Sequence, residues 1–218
     1  MKVTFAARAL AVLAGSTTAS AQYNQPDDLI TSAPFYLQLS APDNSSIDGR
    51  FLEACHSGAG ASTLCVGKLT PPLRRPHIGR FFLNHTGDVN QGIIINERPM
   101  INADEGRRQW MLKEPLRLVL SAGTNVGLTW FSPESFNYNL LPQIKFTTAG
   151  LSIPISVDDT KFKEGIMPEL TGRDADSWYA CWVMAIPYYY EALAWVTGPA
   201  PQNPTCRPVK VTKVDVEA

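Results

Sequence analysis

The sequence predicts an all-β chain, built as a single-domain β-sandwich or barrel-like antiparallel fold with two disulfides. Three observations carry that expectation. Short runs alternate apolar and polar side chains, the period of a strand with one buried face, and turn residues interrupt them roughly every 8–15 positions, as in sandwiches and barrels. No long stretch keeps the three-to-four-residue spacing of an amphipathic helix. The four cysteines, Cys55, Cys65, Cys181 and Cys206, form an even set that can pair off.

The elements follow in chain order. Phe35-Tyr36-Leu37-Gln38-Leu39-Ser40 places Phe35, Leu37 and Leu39 on one face of a strand. The turn-rich residues 42–49 then lead into Arg50–Cys55, and the two runs read as a hairpin with a longer loop. Leu64–Val66 is a short strand, and Pro71, Pro72 and Pro76 make the next stretch irregular. Arg80–Asn84 is a strand. Gly92–Asn96 is another, its unbroken Ile93-Ile94-Ile95 reading as buried on both faces. Trp110–Lys113 and Leu116–Leu120 read as separate strands broken by Pro115, and Leu116–Leu120 forms a hairpin with Val126–Trp130 across Ser121-Ala122-Gly123-Thr124-Asn125. Gln143–Thr147 and Leu151–Val157 are strands, Pro154 marking an edge or a bulge. Residues 158–177 read as a long surface connection. Trp178–Ala185 and Tyr188–Val196 are two strands parted by Pro187. At the C-terminal end, Val209 and Val211 alternate in one phase and Val214 and Val216 in the other, which predicts a β-bulge near Thr212-Lys213.

Residues 1–21 read as a secretory signal peptide: Lys2 and Arg8, the apolar run Ala9–Ala14, and the small-residue cleavage site Ala19-Ser20-Ala21. Residues 22–34 are a loose lead-in, and 35–218 one β-rich domain. The whole chain of 218 residues carries 19 Lys+Arg against 20 Asp+Glu. The first 21 residues hold two of the bases and no acid, so the remaining 197 carry 17 bases and 20 acids, a net charge of −3. That sign excludes a nucleic-acid partner. No apolar stretch reaches the roughly 20 residues of a membrane span, so no membrane partner is expected and the protein is expected to be secreted and extracellular.

Export makes the cysteines a disulfide framework. Four allow three connectivities. Cys55–Cys65 and Cys181–Cys206 are favoured, because each closes a short local loop of small or turn-forming residues. Asn44-Ser45-Ser46 and Asn84-His85-Thr86 are N-glycosylation acceptors, which makes Asn44 and Asn84 expected modification sites.

Catalytic motifs are missing: there is no G-x-S-x-G elbow, H-E-x-x-H pair or phosphate-binding loop. His56, His77 and His85 fit no ligand spacing and there is no C-x-x-C, so no metal and no cofactor is expected. Glycoside hydrolysis needs two carboxyls across a cleft. Glu53, Glu97, Glu114 and Glu191 lie on predicted strands and are the candidates for such a pair, although sequence cannot pair them. The aromatic cluster is denser. Trp178, Tyr179, Trp182, Tyr189 and Trp195 are candidate binding residues, since aromatic faces stack on sugar rings and anchor interfaces. Strand alternation puts Trp178 with Trp182 on one face and Tyr189 with Trp195 on another. A sandwich core would account for the same residues.

Phe35-Tyr36-Leu37, Arg50–Gly60, Leu64-Cys65, Ala192–Val196 and Asn203-Pro204-Thr205-Cys206 together resemble a family of small secreted proteins of filamentous fungi, a domain of unknown function. The resemblance spans most of the chain after residue 21. It implies a conidial, cell-wall or host-facing extracellular protein and carries over no catalytic residue. The expected function is therefore non-catalytic binding at a cell wall, glycan or host surface, the partner being a cell-wall polysaccharide or a host surface protein. The alternatives are a secreted glycan hydrolase using two of the four glutamates and a secreted effector with a protein partner.

Overall fold

Alternating side chains make strands, and strands must pair to satisfy their backbone groups. The computed structural model describes residues 28–216, apart from 59, 72–75, 103–107, 134–140, 158–160, 171 and 186. The expected signal peptide and residues 22–27 of the lead-in lie outside the described residues. The strands are β1 (Ile30–Thr31), β2 (Phe35–Ser40), β3 (Leu52–His56), β4 (Ser62–Val66), β5 (Phe81–His85), β6 (Gln91–Asn102), β7 (Arg108–Val119) and β8 (Val126–Phe131). After them come β9 (Ile144–Thr147), β10 (Gly150–Ile155), β11 (Arg173–Ala175), β12 (Trp178–Ala185), β13 (Tyr188–Val196), β14 (Arg207–Pro208) and β15 (Lys210–Asp215). One helical turn, α1 (Pro76–Gly79), precedes β5. The fold is thus all-β, as the sequence predicts, and the sheet curls into a half-barrel stapled by Cys55–Cys65 and Cys181–Cys206.

The sheet runs β11-β10-β9-β6-β7-β8-β4-β13-β12-β14, with β1, β2, β3, β5 and β15 branching from that path. Inside the curl lies the main core, with Phe35, Leu37, Leu64, Phe81, Phe131 and Trp178 all closed to solvent. A second cluster occupies the opposite face of β8, β12 and β13: Val126, Cys181, Val183, Ala192 and Ala194, joined by Cys206. Ile93 and Ile95 form a third with Leu141, so the Ile93-Ile94-Ile95 run is buried on both faces.

Five local expectations change. β2 is not the hairpin partner of β3. It pairs along its whole length with β15, from Phe35 opposite Asp215 to Ser40 opposite Lys210, and meets the next run at the Gln38–Phe51 bridge, where the Leu39 N–H donates to the Arg50 carbonyl. The β15 register is unbroken, so there is no bulge; Val214 lies opposite Tyr36, which is on the side away from the main core. Pro115 does not break β7. It is the last residue paired with β6, and β8 pairing begins at Leu116, so the missing N–H falls where the strand changes partner. Residues 173–175 of the expected surface connection form β11, paired with β10. The lead-in also contributes, since Ile30–Thr31 pair with β5.

Candidate functional site

The β12–β13 hairpin has the bounds that its alternation predicts, Trp178–Ala185 and Tyr188–Val196. Its register sets Trp178 opposite Trp195, Ala180 opposite Leu193, Trp182 opposite Glu191 and Met184 opposite Tyr189. Directly opposed residues share a face, so Trp178, Trp182, Tyr189 and Trp195 all lie on one side. The expected division of these four between two faces is corrected by the pairing, which periodicity within a single strand does not contain. Along that side the environment changes. Trp178 and Trp195 pack edge to face at 4.8 Å in the main core. Toward the turn the hairpin outruns the core, leaving Trp182 42%, Met184 65% and Tyr189 60% exposed. The rings of Trp182 and Tyr189 remain together there, 5.2 Å apart and tilted by 31°.

Tyr179 lies on the other face, against the cluster around Cys181. Tyr188 and Tyr190 share that face, their rings stacked at 5.9 Å. The Tyr190 hydroxyl donates to the His56 carbonyl at 2.9 Å, and the His56 ring stands edge-on to Tyr188 at 5.2 Å. Tyr188 and Tyr190 belong to the aromatic cluster of the sequence but not to the expected binding set, and His56 is not expected beside them. The alternation of Tyr188-Tyr189-Tyr190 held part of the signal, but nothing local brings in the tip of β3.

Trp182 is held at its backbone. Its N–H donates to the Thr205 hydroxyl at 3.0 Å, and its carbonyl accepts from the Asn203 side chain at 2.9 Å. The Asn203 amide oxygen in turn accepts from both the N–H and the hydroxyl of Thr205. Cys181–Cys206 anchors the adjoining residues. Two side chains and a disulfide thus replace the strand partner that β14 provides only as far as Ala180.

The four glutamates do not come together. Glu97 is opposite Lys113 and forms a 3.6 Å ion pair with it, on the face away from Glu114. Glu53 is opposite Cys65, which is opposite Ala192, so Glu53 and Glu191 point to different faces. Glu114 and Glu191 share a face, but β8 and β4 stand between their strands. Glu114 is fully buried beside Asn96, where the half-barrel interior turns polar. Arg98 donates to it at 2.6 Å and to the Gly60 carbonyl at 3.1 Å, and Asn96 donates to the His77 carbonyl. Burial raises the Glu114 carboxyl above its ordinary value; the Arg98 charge and hydrogen bond pull it back only in part.

The two modification candidates differ in setting. Asn44 is half-exposed in the turn after β2, whereas Asn84 is buried in β5 with its amide oxygen accepting from Thr31. Among the described residues no three His, Cys, Asp or Glu side chains are grouped as metal ligands would be, and no helix is long and apolar enough to cross a membrane.

These features describe a disulfide-stapled half-barrel whose β12–β13 hairpin carries exposed aromatic rings past its own core. The chain belongs to a family described as a domain of unknown function, DUF7907, whose model matches residues 32–215 and so ends with the last residue of β15. No curated protein and no solved structure matches it.

Proposed function

We propose that the protein is a secreted, non-catalytic binding protein that holds a cell-wall glycan on the exposed end of the β12–β13 hairpin. The observation that carries this reading is the Trp182–Tyr189 ring pair, exposed and held on a fixed backbone. A pyranose presents an apolar face that stacks on such rings and hydroxyls that seek hydrogen bonds; Glu191, opposite Trp182 on the same side, offers acceptors for them. Trp178 and Trp195 support the pair from the core and take no part in contact. Export is supported by the character of residues 1–21 and by two disulfides, which persist in oxidising compartments. A fungal cell-wall or host-facing setting comes from the resemblance alone. The hydrolase alternative needs a facing carboxyl pair, and the register offers it no support.

Retention on insoluble chitin, β-glucan and whole cell walls is the direct test. The wild-type protein is expected to be retained on at least one, and Trp182→Ala with Tyr189→Ala to weaken retention at least tenfold, about 1.4 kcal/mol. A wild-type protein retained on none of them, or a double variant retained as well as wild type, overturns the reading. Retention on immobilised host surface proteins alone would replace the glycan by a protein partner.

A further inference from the structure

We infer that Asn44 carries an N-linked glycan, that Asn84 carries none, and that the first sugar units on Asn44 lie in the groove beside it, against Tyr179. The inference rests on the export reading and is independent of the exposed Trp182–Tyr189 pair. In the turn after β2, the Asn44 amide oxygen accepts from the Ser46 hydroxyl at 2.6 Å and from the Ser46 N–H at 3.1 Å. The third residue of the acceptor motif thus already orients the amide. Nδ2 donates to no described group, and Asp43, Ser45 and Ser46 around it are exposed. Modification needs a lipid-pyrophosphate-linked oligosaccharide as donor. Nδ2 forms a bond to the sugar C1, the C1–O bond to pyrophosphate breaks, the lipid pyrophosphate leaves with the electron pair, and the amide loses one proton. At Asn84 the same motif is closed. Its side chain is 5% exposed and bonded to Thr31, with β1 on one side of its strand and β6 on the other. A glycan there would have to displace whatever covers this face of β5.

Asn44 stands on the rim of a groove of about 500 Å³, within the ~300–1,000 Å³ range of ligand clefts. Tyr179, Asp43, Asp176, Arg207 and Lys210 also line it. One half-buried aromatic side chain and two charges of each sign suit a neutral acetamido sugar, which offers a ring face to stack and hydroxyls that both donate and accept. A covalent bond at the rim makes the sugar's effective concentration high without any separate affinity. This gives Tyr179, which the fold separates from Trp182 and Tyr189, a role of its own.

The test expresses the full chain behind a heterologous secretion signal in a eukaryotic host, followed by peptide mapping and thermal unfolding. Expected are an occupied Asn44 and a bare Asn84, one glycan mass lost in Asn44→Gln, and a Tm about 2–4 °C lower in Asn44→Gln than in the glycosylated protein. Trimming to one core sugar should keep most of that difference, and a Tyr179→Leu background should abolish it. A bare Asn44 or an occupied Asn84 in the secreted protein overturns the site. Equal Tm values, or a difference that Tyr179→Leu leaves intact, overturn the seating in the groove. A chain modified behind the heterologous signal but retained in the cell behind its own residues 1–21 overturns the export reading and upholds the site.

Discussion

Glu114 makes the strongest demand of any single residue, because a carboxylate without exposed surface is stable only with a partner. Its raised carboxyl means that the folded chain binds the proton more tightly than the unfolded one. Stability therefore falls as pH rises through the window above the ordinary value of 4.5. Arg98→Met should cost about 3–5 kcal/mol at pH 7, where it strands a buried charge, and far less at pH 4, where Glu114 is protonated. Glu114→Gln keeps an acceptor for Arg98 and should flatten the pH dependence. Urea unfolding at the two pH values checks this; an equal loss at both would show that the pair is not what Arg98 supports. A second residue-scale expectation concerns Thr205. Thr205→Val removes the acceptor for the Trp182 N–H and should speed hydrogen exchange at that amide at least tenfold, while Thr205→Ser should preserve protection.

At the scale of elements, the hairpin shows how far local pattern reaches. The bounds of β12 and β13 follow from alternation and from Pro187, yet the shared face of Trp182 and Tyr189 follows from an opposed register that each strand alone cannot express. Glu114 and His56 make the same point, since each owes its setting to strands distant in sequence. The disulfides were legible because they are local, with sequence separations of 10 and 25. On the chain-entropy model, removal of Cys55–Cys65 should cost about 2.7 kcal/mol and removal of Cys181–Cys206 about 3.5 kcal/mol. Cys181→Ser with Cys206→Ser should also loosen Trp182 and lower glycan retention, whereas Cys55→Ser with Cys65→Ser should lower stability with less effect on retention. Denaturant midpoints and the retention assay, run on both pairs, separate these outcomes. A further constraint sits at Gly92, where a β-carbon would collide with the Asn84 carbonyl; Gly92→Ala should part β5 from β6 and unfold the protein.

For the whole molecule, closure depends on β15 returning to β2 across most of the chain. Val211, fully buried, seals the main core from that strand. Deleting residues 210–218 should leave β2 held only by Phe35 opposite Phe81 and by the Gln38–Phe51 bridge and expose the core, so the truncated chain should lose its cooperative thermal transition; circular dichroism on heating would show it. The order of residues alone gives the all-β class, most of the strands and the favoured disulfide pairing, because each rests on contacts close along the chain. Partner choice is another matter. That β2 joins β15 rather than β3, that Pro115 marks a change of partner, and that one aromatic end is core while the other is surface all depend on which distant edges meet. An alternating pattern says which side chains share a face of one strand. Whether that face meets the core or water depends on how far the neighbouring strands extend over it, and only the closed sheet sets that distance.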